Sequence, residues 1–445
     1  MESEQIRHAP AVFPDLVFLV IPARPWLEWR GGSGPEHDTQ EGRASRGRRP
    51  TRKEMKIMNP QPLPAPRRRA REVKLGPLIL GGDQPIRVQS MTATDTADPD
   101  ATVEQINALA EAGCEIVRLT VDTPKAARAL PDIRRRTAVP LVADIHYNHR
   151  LALEAAPYVD KIRINPGNIG ALENVKAVVA RANEFDLPIR IGVNQGSLER
   201  EIGLKYGAHL LDNVLLPPEE GYPAEALVES ALRNVEILEG FGFERIIISV
   251  KSSNVPLMVR AYRLLAEACD YPLHLGVTEA GTKDNSNIKS SIGIGALLLD
   301  GIGDTLRVSI AARATEEKIE EVRTGYKILQ ALGLRRFGVE VVSCPTCGRE
   351  DQGFDTTRIA LQLEELNSHL TRPIKLAVMG CYVNGPGEAA DADLGVVASG
   401  KTAKIYRSGR LIQTQVPFEE VVDRMSELIR QIDREQREEI TPVPT

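Results

Sequence analysis

From Ile86 onward the chain alternates short β-branched runs with helical patterns, and no other feature limits its possible folds so strongly. The runs are I-R-V-Q-S-M (86–91), E-I-V-R-L-T-V (115–121), P-L-V-A-D-I-H (140–146), K-I-R-I-N (161–165), P-I-R-I-G-V-N (188–194), R-I-I-I-S-V-K (245–251), P-L-H-L-G-V-T-E (272–279) and T-L-R-V-S-I (305–310). Helical stretches such as T-V-E-Q-I-N-A-L-A-E-A-G and A-L-E-N-V-K-A-V-V-A-R-A-N-E-F lie between them. Strands separated by helices build parallel sheets. Eight such units over roughly 250 residues predict a closed (β/α)8 TIM barrel. The alternative is an open doubly wound sheet, but no G-x-G-x-x-G follows the first strand. The pattern over 314–334 supplies the eighth helix, with Gly333 as its stop.

Hydrophobic residues make up 42% of the chain and aromatic ones only 4%, enough for a large aliphatic core. A net charge of −5 argues against a general nucleic-acid binder. No apolar run is long enough to span a membrane. Five cysteines without even spacing or a signal peptide point to a reducing compartment, so a cytoplasmic location is expected. Residues 1–72 differ from the rest: Pro, Gly and basic residues without periodicity read as a disordered extension. Its alternatives are a targeting arm, or a false start with Met55 or Met58 as the true one; composition favours flexibility or a false start. The barrel is expected over 73–335 and a smaller α/β domain over 338–437.

Barrel chemistry sits at the C-terminal ends of the strands. Cations recur inside otherwise apolar strands there: Arg118, Arg163, Arg190, Lys251 and Arg307. Facing the helix layer they would lose hydration without a partner, so they are expected to converge on the barrel mouth. Some can pair with Asp122, Asp144 or Glu279, but a set this large calls for an anion with several charges, such as a phosphate or diphosphate. Asn165 and Asn194 follow their strands directly, next to glycines that allow tight turns. Glu279 ends the seventh strand beside the expected anion, where a carboxylate is costly unless it does acid–base or hydroxyl-binding work. Asp144, His146 and His149 could suggest metal, though lone histidines are more often structural. Cys114 and Cys269 lie in apolar company and read as packing.

Three cysteines crowd the C-terminal region, in V-V-S-C-P-T-C-G-R-E (341–350) and M-G-C-Y-V-N-G-P-G-E (379–388). Cys344 and Cys347 form a C-x-x-C that can turn both thiolates onto one centre. Cys381 follows an apolar run that reads as a strand, and N-G-P-G-E reads as a rigid turn ending in Glu388. Soft thiolates favour an iron–sulfur cluster or zinc; buried or redox cysteines are the remaining reading. The region reads as strand (338–342), helix (355–370), strand (373–379), three strands (394–414) and a final helix (417–434), a cluster-carrying module rather than a zinc ribbon. His369, inside the expected helix, is the only histidine in this region.

Together with V-Q-S-M-T, R-I-N-P-G-N-I-G, I-R-I-G-V-N-Q-G-S-L and V-T-E-A-G, the two cysteine motifs closely resemble the 4-hydroxy-3-methylbut-2-en-1-yl diphosphate synthases, from about residue 74 to 435. The large extra domain of plant-type members is absent, so the resemblance is to the compact bacterial form. It implies a 4Fe-4S cluster, one per subunit, on Cys344, Cys347, Cys381 and Glu388. It implies a cyclic diphosphate substrate held by Arg118, Arg163, Arg190, Lys251, Arg307 and Ser309. Asn194 and Glu279 match polar substrate contacts, and Asn384 the polar position beside the cluster. Electrons would come from flavodoxin or ferredoxin. The implied assembly is a homodimer in which one chain's cluster domain covers the other's barrel mouth.

Overall fold

The computed structural model describes residues 64–211 and 214–440. Most of the extension expected over 1–72 lies outside the described residues. Its last part is not free. Arg67 pairs with the buried Asp304 at 2.7 Å. Arg68 donates to the carbonyls of Cys269 and Tyr271 at 2.6 and 2.5 Å, and Arg71 pairs with Asp270 at 2.7 Å. Basic composition alone read as disorder, but these guanidiniums find carboxylates and helix-end carbonyls, which attract cations.

Eight parallel strands form the barrel: β1 (Arg87–Met91), β2 (Ile116–Thr120), β3 (Leu141–Asp144), β4 (Lys161–Ile164), β5 (Ile189–Asn194), β6 (Ile246–Lys251), β7 (His274–Leu275) and β8 (Thr305–Leu306). The ring closes between β6 and β7 through one parallel bridge, Ile248 to Leu273, and a 2.9 Å bond from the Ile248 N–H to the Pro272 carbonyl. Each strand alternates. Val88, Val117, Leu119, Ile162, Ile189, Ile191 and Ile248 face outward and join the core beneath the helices, while their neighbours face the lumen. The expected seventh and eighth strands run longer in sequence than the ladders they form. Gly276 explains part of this, because a Cβ there would lie 2.7 Å from the Arg307 carbonyl and 3.1 Å from Lys251 Nζ. The chain bends to clear a cation.

The surrounding helices start where the sequence supplies caps. Asp98 accepts from the N–H groups of Asp100 and Ala101 at the head of α1 (Pro99–Glu111). Thr123 caps α2 (Pro124–Arg136), and both helices have Pro at the first position, where its missing N–H costs nothing. The eighth barrel helix, α8 (Thr315–Ala331), ends as expected. Gly333 takes φ +66°, and the Leu334 N–H bonds the Leu329 carbonyl at 2.9 Å. An antiparallel hairpin, Val73–Leu75 with Leu78–Leu80, closes the N-terminal end of the barrel. Its Val73, Leu75 and Leu80 pack on Ile116, Val142 and Ile247 at the bottom of the lumen.

The C-terminal region forms a second sheet with its own core. Its order follows the chain: β9 (Val339–Ser343), β10 (Ile374–Met379), β11 (Leu394–Ser399), β12 (Thr402–Arg407) and β13 (Arg410–Val416). The first three are parallel and the last two antiparallel. Helix α9 (Thr356–Leu366) stops short of His369 because the Asn367 side chain bonds back to the Leu363 carbonyl at 2.8 Å. The N-G-P-G-E turn is instead the start of a short helix, α10 (Gly385–Ala390), with Asn384 at its cap. The last helix, α11, covers Val421–Ile440, beginning later and running further than expected. Among the described residues no helix is long and apolar enough to cross a membrane.

Candidate active site

The strand registers fix what shares each level of the lumen. Pairing advances one residue per strand and returns to its start after a full turn, the stagger of such barrels. From the floor upward, the first level is Ile116, Lys161, Ile247 and Thr305, and the second is Gln89, Val142, Arg190 and His274. The third is Arg118, Arg163, Ser249 and Arg307. Continuing the alternation, Met91, Asp144, Gly192 and Gly276 come next, then Thr120, Asn165, Lys251 and Ser309 at the rim. Arg118, Arg163, Arg307 and Lys251 thus all face the upper half of the lumen, whereas Arg190 faces it lower down, on the second level from the floor rather than at the mouth. Glycines make the space: a Cβ on Gly192 would sit 2.2 Å from Arg163 Nε.

Carboxylates neutralise three of these cations. Asp144 takes Arg163 at 3.0 Å and Arg118 at 3.4 Å, which makes it a structural counter-ion; His146 lies 4.0 Å from it. Arg307 pairs neither with Asp122 nor with Glu279 but with Glu321 of α8, at 3.2 Å. Glu321 is fully buried and also accepts from Ser90 Oγ, Lys318 Nζ and the Ile310 N–H. Among the described residues, Arg190 and Lys251 make no ion pair. Burial pushes both well below their usual pKa, and the neighbouring cations push the same way. Arg118 is pushed down to about 10 by burial and by Arg307 and Arg163, against Asp144. Burial alone would raise the Asp144 carboxyl, but Arg118, Arg163 and Arg190 outweigh it and hold it far below its ordinary range.

The rim carries the polar groups. Asn194 closes β5 opposite Lys251 in the ladder. Asn165 is buried, and its Oδ1 accepts from the Gly167 N–H at 3.3 Å. Ser309 is half-buried, its carbonyl held by Ser286 Oγ at 2.8 Å. Glu279 is exposed past the end of β7 with φ +50°. A non-glycine residue there costs of order 1–3 kcal/mol, and such strain clusters at functional sites.

In the second sheet, β9 and β10 run parallel, so Cys344 and Cys381 emerge at the same end of adjacent strands. The Gly380 N–H points at Cys344 Sγ at 3.3 Å, and the Gly380 carbonyl accepts from the Asp351 N–H at 2.9 Å, tying the two cysteine loops together. Cys347 is exposed. Hydrogen bonds from the Arg349 N–H and guanidinium hold its thiol below the usual value. Between the two cysteines, Thr346 has φ +50°, a second strained position. Glu388 and Asn384 lie exposed on and before α10. Among the described residues no three His, Cys, Asp or Glu side chains gather closely enough for a single metal ion. The donor chemistry fits a larger group: thiols on paired strand ends, one receiving an N–H, as iron–sulfur ligands do. Cys114 and Cys269 are different. Burial pushes Cys114 up to about 12 and raises Cys269, so both stay as inert thiols.

Sequence reasoning missed four buried polar residues. Glu321 was hidden in an acid-rich helix. Lys161 stands two residues before Arg163 and so on the same face of β4, a signal that strand alternation offers. Gln89 and His274 complete the lower levels, and nothing in their local sequence sets them apart.

The model of the GcpE TIM-barrel domain matches residues 70–326, and that of the GcpE protein C-terminal domain matches 340–431. Three curated relatives are each called 4-hydroxy-3-methylbut-2-en-1-yl diphosphate synthase (flavodoxin). That of Caldanaerobacter subterraneus subsp. tengcongensis is 50% identical, covering 84% of this chain and 99% of the relative. That of Ruminiclostridium cellulolyticum is 48% identical over 82% and 98%. That of Acinetobacter baylyi is 44% identical over 85% and 98%. With both domains matched in order and the relatives covered nearly end to end, the chain belongs to the GcpE family.

Proposed function

We propose that the chain converts 2-C-methyl-D-erythritol 2,4-cyclodiphosphate to (E)-4-hydroxy-3-methylbut-2-enyl diphosphate, the product for which its relatives are named, in non-mevalonate isoprenoid synthesis. One carbon–oxygen bond of the ring opens and one hydroxyl leaves as water, so the reaction takes up two electrons and two protons. The observation that carries the reading is Lys251, buried and, among the described residues, without an ion pair, at the rim of a barrel from this family, above the level of Arg118, Arg163 and Arg307.

Lys251, Arg118, Arg163 and Arg307 bind the diphosphate, with Arg190 adding positive charge from one level beneath them, and they stabilise negative charge as the ring oxygen departs. Ser309 and Asn194 orient the polar groups from the rim. Glu279, on its strained backbone, is placed to hold or deliver a proton at the leaving hydroxyl. Cys344, Cys347, Cys381 and Glu388 would hold a 4Fe-4S cluster, which supplies single electrons when bound. Asn384, at the N-cap position of the helix that carries Glu388 but with its side chain free of a capping bond, would stand as the polar neighbour of that group. A flavodoxin, the donor in the relatives' names, is the expected source of electrons, with ferredoxin as the alternative. The protein acts in the cytoplasm as a homodimer in which the second sheet of one chain closes the barrel mouth of its partner, excluding water.

The test is turnover of the cyclodiphosphate by anaerobically purified protein with a reduced viologen dye, alongside iron and acid-labile sulfide analysis. Product and sulfide are expected in the wild type, and no product from Cys381→Ser. Zinc without sulfide, or an undiminished rate in Cys381→Ser, overturns the assignment.

A further inference from the structure

The two lowest levels of the lumen hold polar atoms that no described residue satisfies: Lys161 Nζ, Arg190 Nε and Nη1, both amide atoms of Gln89, and His274 Nε2. Lys161, Gln89 and His274 are 0% exposed and Arg190 is 1% exposed. They come from four strands, β4, β5, β1 and β7, on adjacent levels, so they converge on the barrel axis. We propose that these four side chains hold a small inorganic monoanion of halide size, one level beneath the arginines that face the substrate.

Charge and hydrogen-bond type both select an anion. Neither level contains a carboxylate, and Asp144 is already engaged by Arg118 and Arg163 further up. Lys161 and Arg190 thus have no carboxylate on their own levels; burial depresses the ionisation of both, Arg190 adds to this at Lys161, and Arg118 and Arg163 add to it at Arg190. Nearly all the orphaned atoms are donors. His274 Nδ1 lies 2.6 Å from Thr305 Oγ1; with that hydroxyl donating, the neutral ring carries its hydrogen on Nε2. A water molecule would have to donate two hydrogens of its own, and Gln89 Oε1 is the one acceptor among these orphaned atoms. An anion only accepts. The site is sealed below by the Val73–Leu80 hairpin and its contacts with Ile116, Val142 and Ile247, which leaves no exit for a larger polyanion.

Crystals of the full chain grown in sodium bromide without substrate, measured at the bromine absorption edge, test this directly. An anomalous peak is expected on the axis within hydrogen-bond distance of Lys161 Nζ and the Arg190 guanidinium. Absence of a peak there, or a peak only at the Arg118, Arg163 and Arg307 level, overturns the proposal. In solution, replacing gluconate by bromide at constant ionic strength is expected to raise the Tm by about 1–3 °C. Lys161→Met should lose that increment. An undiminished bromide increment in Lys161→Met overturns the site; if the variant does not fold, the wild-type diffraction decides alone. No substrate is used, so these outcomes are independent of the proposed reaction.

Discussion

At the residue scale, the candidate site depends on which cations already have a counter-ion. Asp144 serves two arginines at once, so replacing it leaves both charges buried. Asp144→Asn is expected to cost about 3–5 kcal/mol in urea unfolding at pH 7. Its carboxyl is depressed in the folded protein, so its contribution is complete above the ordinary value of 3.8 and is lost as pH falls below that. The gap between parent and variant should therefore close on the acid side of 3.8. Lys251 has no such structural partner. Lys251→Met should fold normally yet raise KM for the cyclodiphosphate by roughly 10–100-fold, the loss of one charge-assisted contact. A KM within twofold of the parent would remove Lys251 from the binding set. The residues legible in sequence were those whose charge contradicts an apolar strand, Arg118, Arg163 and Arg190 above all. Asp144 was legible as a partner, and it takes Arg118 and Arg163, but the partner of Arg307 was not. Glu321 reaches the lumen from a helix, and strand periodicity carries no information about that.

At the scale of elements, the strand–helix alternation was readable because the outward strand faces are aliphatic and the helices at Pro99, Pro124, His149 and Val255 each follow a side-chain cap. The floor of the barrel was not readable. Val73–Leu75 and Leu78–Leu80 are three-residue strands around Gly76, too short for alternation to register. Their leucines nevertheless support the lowest level of the lumen. Leu80→Ala is expected to destabilise the protein by about 2–5 kcal/mol, read by thermal or denaturant unfolding, with KM unchanged because the hairpin lies at the end opposite the mouth. The N-G-P-G-E segment taught the opposite lesson. Gly and Pro there read as a turn, but Pro386 stands in the first turn of α10, the one helical place that tolerates it.

At the scale of the whole molecule, the proposed reaction requires the barrel mouth and the cysteine loops to meet, within one chain or across two. Mixing two variants, assayed at a cyclodiphosphate concentration no higher than the parent KM so that neither alone turns over appreciably, separates these cases. If the site is composed across chains, Lys251→Met and Cys381→Ser proteins unfolded and refolded together should recover about a quarter of wild-type turnover, from the one intact site in each mixed dimer. If each chain serves itself, the mixture stays dead. The two-domain layout was legible as a change of pattern after Gly333, but association with a second chain was not, because it depends on surfaces that periodicity does not encode. One feature of the ring bears on what the ligand does for it. The joint between β6 and β7 is held by a single bridge, whereas β5 and β6 share six register pairs. Lys251 and Glu279 stand at the open ends of the two segments that flank this weak joint. On the proposed reading, a diphosphate gripped by Lys251 on one side and Arg307 on the other would act as a clasp on the hoop, so that substrate and closed barrel hold each other together.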